Sequence, residues 1–149
     1  MLSVRHWIMT VAALLVGLIV GWSTATLSAE TDKPANMVYE LRTYTTEEGR
    51  LPALHARFKD HTIKLFEKHG MKNVVYFTPI DKDGKPVENK LVYLLAHKSL
   101  EARAASFGAF GKDPEWIAVR EASEKDGKIV AKGGVESQLL VPTDYSQMK

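Results

Sequence analysis

Glu40 and Arg42 stand two apart inside VYELRTY, residues 38–44, a run of Val, Tyr and Thr whose alternation predicts a strand. Residues two apart on a strand share one face, so an acid and a base lie side by side where an ordinary strand would carry something apolar. They can pair with each other or across a dimer, or they can receive the polar end of a ligand. His61 falls on the helix predicted next, on the stripe expected to face the sheet. There an imidazole could hold a metal or haem, act as a general base, or sit satisfied in the core. Tyr44, Tyr76, Tyr93 and Trp116 add aromatic area that could enclose the apolar part of a small molecule. With Glu40, Arg42 and His61 they make up the expected ligand-binding set. No catalytic residue is assigned.

Other chemistries lack their residues. His55, His61 and His69 are spaced six and eight apart, so they do not share a helix face as an i, i+4 pair would, and no metal site is expected. DKDG, residues 81–84, begins like a calcium loop but lacks the third acid and the closing Glu, which leaves a hairpin turn as the reading. There is no GxSxG, Walker or dinucleotide glycine pattern, which disfavours serine hydrolases and nucleotide-dependent enzymes. The chain has no cysteine, which excludes disulfides and thiolate chemistry.

The elements that must hold these residues can be read in order. Trp7 to Trp22 is an uncharged, mostly apolar run behind Arg5, short for a bilayer span and suited to the core of a signal peptide. Residues 1–29 are therefore expected to be a signal peptide, with an uncleaved membrane anchor as the alternative. Either places the domain outside the cytoplasm, in the periplasm or cell envelope or secreted. Residues 30–36 read as a polar linker and 37–149 as one domain. Without Arg5 the chain has 19 basic and 18 acidic residues, a net +1 with both signs interspersed, so neither a nucleic-acid partner nor a membrane surface is expected beyond the N-terminal segment.

Gly49 ends the first strand, and Pro52 opens a helix of about five turns whose stripe is Leu51, Leu54, Phe58, His61 or Thr62, and Leu65, stopped by Gly70. KNVVYFTP (72–79) and LVYLLA (91–96) form a hairpin across Asp83-Gly84. Ser99 caps an alanine-rich helix to Phe110, and Asp113-Pro114-Glu115 restarts one that runs to about Lys125. Residues 124–134 read as an extra loop before a last strand at 135–141. The order strand, helix, strand, strand, helix, strand is that of an α+β, ferredoxin-like split βαβ fold.

That fold covers one sheet face with helices and leaves the other open. Of the two alternating sets in the first strand, the one carrying Glu40 and Arg42 is expected on the open face, because burying charge beneath a helix is costly. Two such faces meeting would close an eight-stranded barrel.

YELRTY at 39–44, His61 and KHG in the first helix region, SLEARAA at 99–105, DPEW at 113–116 and ES-x-LL at 136–140 together resemble the NIPSNAP family over nearly all of residues 37–145. The resemblance implies a dimeric α/β barrel, an architecture shared with small monooxygenases, isomerases and haem-handling proteins. It names no agreed activity, and haem enters by that analogy alone. The expected function is binding of a small, partly apolar molecule in a pocket enclosed by a homodimer. The alternative is a non-catalytic assembly module of the cell envelope.

Overall fold

A computed structural model describes residues 37–148, so the leader and linker expected at 1–36 lie outside the described residues. Strand β1 (Val38–Thr46) leads into α1 (Leu51–Arg57), a π-helical stretch (Phe58–Thr62) and α2 (Ile63–Lys68), which follow one another without a break. Strands β2 (Lys72–Phe77) and β3 (Lys90–His97) form the predicted hairpin. Helices α3 (Leu100–Lys112) and α4 (Pro114–Ser123) precede β4 (Val130–Leu140). The sheet is antiparallel with strand order β2-β3-β1-β4, and the fold is the ferredoxin-like one.

Local chemistry sets the boundaries. Ser99 accepts from the Ala102 backbone N–H and Asp113 from that of Glu115, so each side chain caps its helix where predicted. In the hairpin loop Asp81 accepts from the N–H groups of Asp83 and Lys85, and Gly84 takes φ +79°.

The core is the layer between helices and sheet. Leu54, Phe58, Leu65 and Phe66 pack there with Leu91, Tyr93 and Leu95 of β3 and with Phe110 of α3. Each aliphatic side chain so buried contributes about 1.5–3 kcal/mol. Aromatic rings dominate: Phe58 meets Tyr44, Tyr76 and Tyr93 edge-on at centroid distances of 5.9, 5.8 and 5.1 Å.

This packing overturns the face assignment for β1. Glu40, Arg42 and Tyr44 stand opposite Leu95, Tyr93 and Leu91 on β3, so the charged set shares the helix-covered face with the core. The open face carries Tyr39, Leu41 and Thr43, paired with Ala96, Leu94 and Val92. Burial of the charge is tolerated because partners from three elements meet it, and those partners are remote in sequence.

Two further expectations change. The π-helical stretch adds a residue to one turn, and Thr62 donates its hydroxyl to the Arg57 carbonyl five residues back. The buried stripe then passes through Thr62, and His61 is exposed. The loop expected at 124–134 ends early, because β4 starts at Val130 and pairs Val130 with Thr46. Residues 131–134 bulge opposite Thr45, with Gly133 at φ +73° and Gly134 so close that a Cβ there would sit 2.4 Å from the Thr45 carbonyl oxygen.

Candidate functional site

The Glu40 carboxylate is completely buried and surrounded by donors. Arg103 of α3 grips both its oxygens, Nε to Oε2 and Nη2 to Oε1 at 2.7 Å each. Ser137 of β4 donates at 2.6 Å, and Arg42 Nη1 donates to the same Oε1. His97, at the end of β3, places Nε2 3.2 Å from Oε2, close enough for an ion pair. Neither of its ring nitrogens has a hydrogen-bonded partner among the described residues. Burial alone would push the Glu40 carboxyl upward, but His97, the hydrogen bonds from Arg103 and Ser137 and the Arg42 charge outweigh it and hold the group well below the ordinary carboxylate range. Buried completely and held by four donated hydrogen bonds, Glu40 serves as a fixed counter-ion out of reach of a substrate.

Arg42 extends the network. Its Nε donates to the Tyr93 hydroxyl at 2.9 Å and Nη2 to the Tyr44 hydroxyl at 3.3 Å, and its guanidinium lies 4.9 Å from the centre of the Phe107 ring. Burial pushes the Tyr93 and Tyr76 hydroxyls above the normal tyrosine value, so both stay neutral hydrogen-bonding groups. Tyr76 stacks on Tyr93 at 5.5 Å and donates to Asn73. Beyond Tyr76, between the α1–π–α2 run and strand β2, lies a crevice of about 280 Å³ lined by His55, Phe58, Ile63, Tyr76, Phe77 and Leu91, among others.

Of the seven predicted ligand residues, the structure gathers Glu40, Arg42, Tyr44, Tyr76 and Tyr93 into this chain of contacts. His61 is elsewhere, on a groove between α1 and α4 beside Ala53, Asp60 and Ala118. Trp116 is also apart: it packs at 4.5 Å on Phe110 and covers Arg57 at 5.3 Å, closing the end of the core. Arg103, Ser137, His97 and Phe107 were missed. Arg103 and Ser137 occur within SLEARAA and ES-x-LL, two of the segments that carry the family resemblance. An unmatched Glu in a strand was a signal to look for a cation on an alanine-rich helix. Among the described residues no cluster of three His, Asp or Glu could hold a metal ion.

The NIPSNAP family model matches residues 39–147, from the first strand through β4 and beyond. The chain belongs to the NIPSNAP family. Solved structures agree. A NIPSNAP family protein of unknown function from Agrobacterium tumefaciens is 25% identical, with a TM-score of 0.62, over 77% of this chain and 96% of that one. A NIPSNAP-like domain protein from Burkholderia xenovorans is 20% identical, with a TM-score of 0.61, over 75% and 90%. No curated protein matches the chain. The protomer fold of this NIPSNAP protein is thus shared with solved members of the family. The resemblance between YELRTY and the family acquires a physical meaning: Glu40, Arg42 and Tyr44 tie β1 to α3, β3 and β4 at one point.

Proposed function

We propose that this NIPSNAP protein binds a small, partly apolar molecule in the crevice between the α1–π–α2 run and strand β2, as a homodimer outside the cytoplasm. The crevice itself carries the reading. Its volume of about 280 Å³ is close to the lower end of small-molecule sites, and its wall is Phe58, Ile63, Tyr76, Phe77 and Leu91, with His55 among the few polar groups. Glu40 and Arg42 do not line it. They hold Tyr93, which supports Tyr76 by stacking, so their role in binding is indirect.

The homodimer enters through Phe77. That ring is half exposed, lines the crevice, and stands opposite Val92 on the open sheet face. A second copy packed on this face would cover Phe77 and close the crevice along the sheet edge. The test is native mass spectrometry of the purified domain for a co-purified small molecule. Ile63→Trp, at a half-buried wall position, is expected to fill the cavity and release the ligand while leaving the melting temperature nearly unchanged. A ligand that stays bound in Ile63→Trp overturns the reading. The leader is tested separately, by N-terminal sequencing of protein recovered from an expressing cell.

The alternative, an assembly module without a ligand, is supported by the exposed apolar residues at the C-terminal end: Leu140, Val141, Tyr145 and Met148. A dimer with no bound molecule in the mass spectrum would favour it.

A further inference from the structure

Strand β4 lies at the edge of the sheet, and its helix-facing side is left uncovered. Val135, Ser137 and Leu139 stand opposite Tyr44, Arg42 and Glu40, so all three point to the side where α3 lies. Ser137 reaches the buried carboxylate, yet Val135 and Leu139 on either side of it are 47% and 46% exposed. Arg103 reaches into this strip from α3 and remains 27% exposed even with two of its nitrogens bound to Glu40. Its Nη1 has no hydrogen-bonded partner among the described residues. Phe107 lies against the guanidinium at 5.2 Å.

Two guanidiniums, Arg42 and Arg103, face the single carboxylate of Glu40, so one positive charge at this place is uncompensated. Arg103 is clamped from behind by a bidentate ion pair, which fixes its orientation before any ligand arrives. At the base of the strip His97 is buried, with Nε2 3.2 Å from Glu40 Oε2 and Nδ1 without a hydrogen-bonded partner among the described residues.

We propose that the exposed side of Arg103, with Ser137 below it and Val135 and Leu139 beside it, binds the carboxylate of a small monocarboxylic acid with an apolar chain. The single surplus charge matches a monoanion. The two exposed aliphatic side chains provide the surface on which an alkyl or aryl chain loses water. Glu40 acts as a positioning residue, since it holds Arg103 and touches no ligand atom. This site shares no residue with the lining of the β2 crevice.

The test uses octanoate and octanamide, which differ in charge at equal chain length, titrated by calorimetry or ligand-observed NMR against the intact domain. Octanoate is expected to bind at least tenfold more tightly. Leu139→Glu, at an exposed position that leaves the core untouched, is expected to remove that preference without altering the fold, and Arg103→Gln is expected to remove it with a loss of stability, because Glu40 loses its bidentate partner. Equal binding of the two probes, no octanoate binding at millimolar concentration, or a preference that survives Leu139→Glu overturns the proposal. Ile63→Trp distinguishes the two sites: octanoate binding is expected to be unaffected by it, and its loss would place octanoate in the crevice and defeat the inference while leaving the crevice reading intact.

Discussion

Glu40 combines complete burial with a full set of donors, and the consequence of removing its charge can be stated at the level of one side chain. Glu40→Gln would leave Arg42 and Arg103 facing each other without an anion. Breaking a buried pair in this way costs about 3–5 kcal/mol, and urea unfolding at neutral pH should show a loss of that size. Tyr93→Phe tests the next link. It leaves Arg42 Nε without its acceptor and is expected to cost about 1–3 kcal/mol. Acid sensitivity follows from the same carboxylate. Its folded pKa is depressed, as is that of Asp113, which Lys68, His69 and the Glu115 N–H hold low. The folded state therefore binds fewer protons than the unfolded one. Stability is fully present above the unfolded carboxylate pKa, near 4, and falls as pH drops further toward the folded values. Denaturation midpoints at pH 7, 5, 4 and 3 should be level across the first two and decline after that, less steeply in Glu40→Gln. The presence of a paired charge at 40 and 42 was legible in the sequence. Its side of the sheet was not, because the partners that make burial tolerable, Arg103 and Ser137, lie 63 and 97 residues away.

At the scale of elements, the caps, the hairpin turn and the element order were all readable, since each depends on residues within a few positions of each other. The two misread segments are those where backbone geometry departs from a fixed period. Three- and four-residue spacing could not choose between His61 and Thr62, and the π-helical stretch at 58–62 decided for Thr62 by letting its hydroxyl reach the Arg57 carbonyl. The glycines at 133 and 134 read as loop, yet they are where β4 bulges against β1. Gly134→Ala is expected to destabilise the domain by an amount comparable with other overpacking changes, about 1–3 kcal/mol, because the added methyl would meet the Thr45 carbonyl oxygen. Chemical denaturation gives the size, and loss of amide protection confined to residues near 45 and 130–135 would locate it. Gly49→Ala is the comparison: its positive φ of 68° brings backbone strain, but no atom lies within 4 Å of the added carbon.

For the molecule as a whole, the open sheet face makes a prediction independent of either ligand site. Leu41, Leu94, Val92 and Phe77 form a largely apolar, partly exposed surface there. If two copies meet on it, Leu94→Lys should convert a dimer into a monomer in light scattering at micromolar concentration, with little change in helix content. A wild-type monomer under those conditions would remove the homodimer from the proposal. Another consequence concerns what must not happen between molecules. Strand β4 ends the sheet, so the outer row of its amide and carbonyl groups could template strands from other chains into a growing stack. The bulge at 131–134 interrupts that row near its beginning, and Lys132 and Glu136 place opposite charges along it. The glycine pair that spoils the regularity of the strand thus also works against fibre formation, and straightening it by deleting three residues is expected to produce a chain that seeds aggregates.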